Sequence, residues 1–217
     1  MRQNYSAIFC TLNSEPAIID QVYRFRKSIF IDHHGWDLQH FDGREHDAFD
    51  TAFTVYCALY QGREMVATFR AIRTDYPYLS AWVFPQLAVD QPYPRRRDAW
   101  EISRFGVLPQ QKGAQRLSLL NYGLMFYFAQ KIGASSLVAS AAPAHERFLH
   151  QIGINTIRYG PPQIVGHTTS GAPLEVVAGD IPVSVQEGDR FSRLIRTLDH
   201  VEITDASYVF GPARISA

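Results

Sequence analysis

Residues 100–141 read WEISRFGVLPQQKGAQRLSLLNYGLMFYFAQKIGASSLVASA. The first nine have the composition of a buried strand. Leu117, Leu120, Leu124 and Phe128 then recur at helical steps, which predicts a helix from Gly113 to about Lys131. Residues 136–141 are a strand of small side chains. A second helix follows over 144–151 and stops at Gly153. Outside this unit, residues 51–60 and 64–73 alternate around Gln61-Gly62-Arg63 and predict an antiparallel hairpin. A strand–helix–strand–helix unit combined with an early hairpin gives an α/β fold with a mixed sheet.

Working outward, residues 5–12 predict a first strand. Asn13 or Ser14 is placed to cap a helix with Pro16 in its first turn. Ile18, Val22, Phe25 and Ile29 form its apolar stripe, while Tyr23, Arg26 and Phe30 fall on another face. Residues 31–50 predict a long loop with a turn at Asp42-Gly43, and long ordered loops are often functional. In the hairpin, Val66, Thr68 and Arg70 share one face and Met65, Ala67, Phe69 and Ala71 the other. A short helix is predicted over 79–84 and a strand over 156–159. A second hairpin pairs 163–167 with 173–177, and a late helix covers 191–198. The last dozen residues carry no reading. The whole, residues 1–217, is expected to be one domain.

Lys+Arg and Asp+Glu are both 21, so the chain is neutral. Nucleic-acid surfaces need a basic excess, so none is expected. A local cluster, Arg95-Arg96-Arg97, remains as a docking point for an acidic partner or as a solvated turn. Cys10 and Cys57 sit in apolar contexts and read as reduced core residues. No apolar run reaches transmembrane length, and residues 1–4 begin no signal peptide, so a soluble cytoplasmic protein without membrane attachment is expected. His145 and His150 lie five apart, the wrong spacing for a helical metal pair, and no metal site is expected.

Arg26, Phe30, Trp36, Asp47 and Asp50 place a cation, two large aromatics and two carboxylates after a helix. That set suits a small zwitterion carrying a flat ring. The bland alternative is a surface Arg and two surface carboxylates. Glu101 and Arg104 lie in a buried strand, where charges are costly unless paired or facing a wet site. Residues three apart in a regular strand point to opposite faces. If both serve one cleft, a bulge or a sharp splay should lie between them. If not, each is an ion pair that only stabilises the fold. The polar loop before the helix at Gly113 is a place for an anionic phosphate.

These residues together resemble the acyl-homoserine-lactone synthases, which make bacterial quorum-sensing signals. The spacing Arg26-x3-Phe30-x5-Trp36-x10-Asp47-x2-Asp50 stands as in that family, as does Glu101-x2-Arg104 within WEISRFGV. Arg70 and Phe84 match within FRAIRTDYPYLSAWVFPQL (residues 69–87), where Arg73 replaces a usual Pro. The resemblance covers roughly residues 20–160. It implies a three-layer mixed sheet similar to the acyl-CoA N-acyltransferase fold. It also implies a reaction: an acyl thioester, on acyl carrier protein or CoA, acylates the amine of S-adenosyl-L-methionine. The methionine carboxylate then closes the lactone and expels 5′-methylthioadenosine. S-adenosyl-L-methionine is a substrate here, and no cofactor is implied.

The residue types suit that chemistry. A free α-amine has a pKa of roughly 7.7–8.0 and must lose a proton before attack. Glu101 is the candidate base. Asp47 and Asp50 hold the ammonium or fix the loop, with Asp47 favoured for substrate contact. Arg26, Arg70 and Arg104 are clamps for carboxylates. Phe30 and Trp36 stack on adenine or cover the sulfonium. Backbone N–H groups of Ser103, Arg104 and Phe105 are candidates for the oxyanion site. Met125, Ala139, Ala141, His145 and Leu149 are candidates for the acyl pocket. Ala139 replaces the Thr that accompanies 3-oxo chains in the family, so an acyl chain without a 3-oxo group is expected. Two other readings stay open. One is a general acyl-CoA N-acyltransferase acting on another amine; the other is a non-catalytic regulator that binds a thioester or adenosine.

Overall fold

The computed structural model describes residues 4–109 and 113–209. Its spine is a nine-stranded mixed sheet. The strands are β1 (Tyr5–Cys10), β4 (Val55–Gln61), β5 (Glu64–Arg73), β6 (Ala99–Val107), β7 (Ser136–Ala141), β8 (Ile157–Arg158), β9 (Gln163–His167), β10 (Pro173–Pro182) and β11 (Val201–Asp205). Their order is β11-β1-β4-β5-β6-β7-β10-β8, with β9 also on β10. Among the described residues only β1–β11 and β6–β7 pair in parallel. Apart from the sheet, β2 (His40–Phe41) and β3 (Arg44–Glu45) form a ribbon turned at Asp42 and Gly43, whose φ values are 48° and 75°. Two successive positive φ angles are what a two-residue hairpin turn needs.

Helices cover both faces, because the central strands are buried on both. On one face α3 (Ala114–Lys131), α4 (Pro143–Gln151) and α5 (Gly188–Arg196) close the main core around Phe69, Phe126 and Phe128. On the other lie α1 (Pro16–Arg26) and the short α2 (Leu79–Val83). Each has its own apolar cluster, one around Phe25 and Tyr56 and the other around Ile72, Tyr78 and Leu87. The three-layer reading therefore holds. Between those two clusters the sheet face carries charge, and the site lies there.

Three details depart from the sequence reading. Glu15 stands at the cap position of α1, while Ser14 bonds back to Thr11. The end of the predicted helix and the first three residues of the predicted loop, 31–33, form a π-helix, Lys27–His33. Its wider turn changes the angular step between side chains, so Phe30 is 3% exposed and joins Ile29 in the core beside α1. Finally, β11 has no counterpart in the sequence reading. It adds the outermost strand alongside β1, with Val201 and Ile203 packed on the main core. The polar loop proposed for phosphate falls partly on residues 110–112, outside the described residues.

Candidate active site

Six charges form one cage. Arg26 ends α1, Glu45 sits on β3, and Asp47 and Asp50 lie in the loop that follows. Arg70 comes from β5 and Arg104 from β6. Arg26 donates to Glu45 at 2.6 Å and to Asp50 at 2.7 Å. Arg70 donates to Asp47 at 2.5 Å and through Nε to Ser103 Oγ at 3.0 Å. Arg104 donates to both Glu45 and Asp47 at 2.9 Å. Three guanidiniums thus meet three carboxylates, and the cage is neutral. The bland reading of Arg26 as a solvated surface cation fails, since its side chain is wholly buried.

Glu45 was the residue the sequence hid. Its neighbour Arg44 pairs outward with Asp20 of α1 and with Asp42. Alternation along β3 then turns Glu45 inward, where it bridges Arg26 and Arg104. Nothing in the run Arg44-Glu45-His46 separates this carboxylate from a surface one. Tyr56 on β4 was also missed. Its hydroxyl donates to Asp50 at 2.8 Å and lies 3.2 Å from the Tyr23 hydroxyl. Burial and the adjacent Asp50 push the Tyr56 phenol far up, so it stays a donor.

Asp47 and Asp50 play different parts. Asp50 accepts from Arg26, from Tyr56 and from the Asp47 backbone N–H, and its side chain is 2% exposed. It braces the loop. The Asp47 side chain is 20% exposed and is the cage carboxylate that solvent reaches. Burial alone would raise the Asp50 carboxyl, but Arg26 and Arg70 outweigh it and hold the group well below the usual range. Glu45 is likewise held down, by Arg26 and Arg104 against burial. Groups whose folded pKa is depressed stabilise the fold above their unfolded pKa, roughly 4, and lose that contribution as pH falls. Urea midpoints measured from pH 7 to pH 3 should therefore drop below about pH 4.5, and Asp50→Asn should flatten that drop. An acid limb of unchanged slope in the variant would remove Asp50 as its source.

The expected bulge is present. From Arg70↔Ser103 to Thr68↔Gly106, β5 moves two residues while β6 moves three. Arg104 and Phe105 together oppose Phe69. Arg104 takes φ 51°, a left-handed conformation that costs a side-chain-bearing residue about 1–2 kcal/mol. The bulge sends the Arg104 guanidinium into the cage, while the Phe105 ring stacks on Tyr122 of α3 at 4.3 Å. Beneath it Gly106 lets Phe30 approach closely, since an added Cβ would lie 3.3 Å from the ring.

An aromatic shelf borders the cage. Arg104 stands 5.9 Å from the Phe30 ring centre, Phe30 stacks on Trp36 at 5.0 Å, and Trp36 lies 6.0 Å from His34. Trp36 is only partly buried, which leaves part of it available to a ligand. Burial, His33 and His145 pull the His34 pKa down.

Glu101 lies two residues before Ser103 on the same face of β6, fully buried. Its carboxylate accepts from Ser80 N at 2.6 Å, Ser80 Oγ at 2.6 Å and Leu79 N at 3.1 Å. These are the first residues of α2, so a helix start is what offsets the cost of burying this carboxylate. Ser140 of β7 donates in turn to Ser80. Three of about four acceptor positions are taken, which leaves one on Oε2. Phe84 packs in the α2 cluster, on the Glu101 side. The structure thus groups the candidates as a cage and a Glu101 cradle, with Ser103 between them.

The β6–β7 ladder ends at Glu101↔Val138, although both strands run on. Beyond that point the strands part, beside the bulge. On the opposite face Met125 and Leu149 are buried in the main core and Ala139 packs against it. Ala141 shares that face by alternation. His145 Nδ1 lies 3.4 Å from the Tyr122 hydroxyl, and burial of the ring pushes its pKa down. Both cysteines are free and buried; burial pushes the Cys10 thiol up to about 12 and Cys57 higher than its usual value, so neither is a poised nucleophile.

Comparison with known proteins shows the family and the fold. The family model described as autoinducer synthase matches residues 10–190. An acyl-homoserine-lactone synthase of Acinetobacter nosocomialis is 30% identical over 165 residues, 70% of this chain and 88% of that protein. The solved CoA-dependent acyl-homoserine lactone synthase BjaI, with SAM and isopentyl-CoA, superposes with a TM-score of 0.76 at 23% identity, covering 92% of this chain and 93% of that one. A structure assigned to the N-acetyltransferases, from Lactobacillus plantarum, reaches a TM-score of 0.53 at 15% identity over 82% of this chain and 99% of that one. Among the described residues no helix is long and apolar enough to cross a membrane. The chain belongs to the autoinducer synthase family, the acyl-homoserine-lactone synthases, which are acyltransferases.

Proposed function

We propose that this protein transfers an acyl group without a 3-oxo oxygen from a thioester to the amine of S-adenosyl-L-methionine and then releases an N-acyl-homoserine lactone. The observation that carries this reading is the neutral cage beside an aromatic shelf, its Arg104 three residues along β6 from a cradled carboxylate. Of the three cage guanidiniums Arg104 alone keeps exposed surface, 7%, and it takes the substrate carboxylate while Arg26 and Arg70 brace the cage from beneath. Asp47, the exposed cage carboxylate, takes the ammonium. Trp36, backed by the buried Phe30, takes the adenine or faces the sulfonium.

In the first step the amine nitrogen bonds to the thioester carbonyl carbon and the carbon–sulfur bond breaks. The bound ammonium first gives one proton to Glu101, directly or through water; after attack the nitrogen gives its second proton to the departing thiolate, which leaves as the thiol. Backbone N–H groups at the bulge, Ser103 to Phe105, receive the oxyanion. In the second step the methionine carboxylate attacks the carbon attached to the sulfonium sulfur, and 5′-methylthioadenosine leaves. The acyl chain enters where β6 and β7 part and runs toward Met125, Ala139, Ala141, His145 and Leu149. Arg95 and Arg97 offer cations to an acidic carrier protein, and acyl-CoA is the other donor.

The test is purified protein with S-adenosyl-L-methionine and a panel of acyl thioesters, carrier-bound and CoA-bound, following free thiol and methylthioadenosine together. Equal release of both with one donor is the expected result. Thiol release only with another amine, and no methylthioadenosine with any donor, would replace this reading with a general N-acyltransferase. Ala139→Thr is expected to shift donor preference toward 3-oxo chains by about tenfold, one hydrogen bond's worth. Unchanged preference in competition between 3-oxo and unsubstituted donors would discredit the pocket.

A further inference from the structure

Asn121 is a polar residue in the middle of α3, one position from Leu120 and three from Leu124 on a helix that faces the main core. It is fully buried. A buried amide is costly unless bonded, and a Leu at this position would fit the stripe better. Its one hydrogen bond explains its presence. The Asn121 amide donates to the Thr68 carbonyl at 3.1 Å. Thr68 is the β5 residue at which the ladder with β6 slips. Thr68 stands opposite Gly106 at the last paired step before the bulge, where the ladder is broken locally and a strand carbonyl gains from a second donor. Asn121 supplies it from the helix. Its own Oδ1 has no partner among the described residues, so the side chain is retained for the donor alone. The next residue, Tyr122, stacks on Phe105, the second bulge residue.

We infer that Asn121 is the positioning residue of the active site: it holds the β5–β6 bulge open from the far face of the sheet and so aims Arg104 into the cage. The inference rests on the functional reading above for its catalytic consequence, but not for its geometry. In a regular ladder, residue 104 would point to the face opposite Glu101 and into the apolar core. The left-handed Arg104 backbone is a cost that the fold must offset, and the Asn121–Thr68 bond together with the Arg104–Glu45 and Arg104–Asp47 pairs offsets it.

The experiment uses two substitutions in the full chain. Asn121→Asp keeps the volume. When ionised it has no proton for the Thr68 carbonyl, and when protonated its hydroxyl replaces the amide donor. Burial raises the pKa of such a carboxyl into the range where the enzyme can be assayed. Per folded enzyme, kcat/KM for S-adenosyl-L-methionine relative to wild type should fall on the order of 10²-fold at high pH, the scale of an ångström-sized misplacement. It should recover toward wild type as pH drops, and the ratio cancels titrations common to both enzymes. Asn121→Leu should stay at the low plateau at every pH. A ratio that does not move with pH, or wild-type kcat/KM in folded Asn121→Leu, overturns the inference.

A double-mutant cycle on urea stability, Asn121→Ser with Arg104→Gln, reads the same device without catalysis. The two side chains lie on opposite faces of the sheet, so a shared bulge predicts non-additive costs. Strict additivity also overturns the inference. An enzyme that turns over no donor while the cycle stays non-additive would instead sink the reaction and leave the positioning role standing.

Discussion

Glu101→Gln is expected to lower kcat by on the order of 10²–10⁴-fold, the range that a positioned base contributes. The affinity for S-adenosyl-L-methionine should change far less, because the charges proposed to bind it belong to other residues, Arg104 and Asp47 of the cage. The structure adds a complication. Gln would present an amide NH₂ to the N–H groups of Leu79 and Ser80 and lose an acceptor that they use. Some stability must go with it, roughly 1.5–3 kcal/mol for one charge-assisted bond. Ser80→Ala separates the two effects. It removes the 2.6 Å hydroxyl bond to Glu101 and leaves the carboxylate in place. If Glu101 acts as the base, Ser80→Ala should lose stability yet keep kcat within about tenfold, the weight of one hydrogen bond. Equal losses of kcat and binding in Glu101→Gln, or equal kcat losses in both variants, would assign Glu101 to holding α2 alone.

Arg26→Met is expected to cost about 3–5 kcal/mol of folding stability, or roughly 6–20 °C in melting temperature for a chain of this size. Met fills much of the same volume, so the loss is electrostatic. Glu45 and Asp50 would each keep a buried charge with one guanidinium fewer. Arg104 still serves Glu45 and Arg70 still reaches Asp50 at 3.1 Å, which makes the cage a network and its members non-additive. Adding Asp50→Asn to Arg26→Met should therefore recover part of the loss. Chemical denaturation at neutral pH measures both steps. A cost below about 1 kcal/mol, the level of an exposed pair, would mean that Arg26 is solvated after all. No recovery in the double variant would mean that its role is packing.

The acid limb and the Asn121 device belong to the same picture. The cage is built from charges that the sequence scatters over nearly eighty positions, from Arg26 to Arg104. Burying them together is favourable only because each carboxylate meets at least two guanidiniums. The left-handed Arg104 and the extra β6 residue are what bring the last cation in.

By itself the sequence determined the hairpin of β4 and β5, the strand–helix–strand run from Ala99 to Ala141 and the family, because period-two and period-3.6 patterns and fixed spacings are local properties. It also raised a bulge or a splay as the condition for Glu101 and Arg104, three apart on one strand, to serve one cleft, and the bulge is what the structure has. The alternating Val201-Glu202-Ile203-Thr204 of β11 was a readable signal that the sequence reading did not take up. Other features were decided only by the tertiary structure. Glu45 became a cage member through a neighbour's outward pairing with Asp20, and Asp50 became a brace through Tyr56. Glu101 met its donors at α2, twenty-one residues away from Ser80 along the chain. Asn121 met a carbonyl fifty-three residues distant. A polar side chain's partner is fixed by which faces the sheet brings together, and that distance along the chain leaves no periodicity to read.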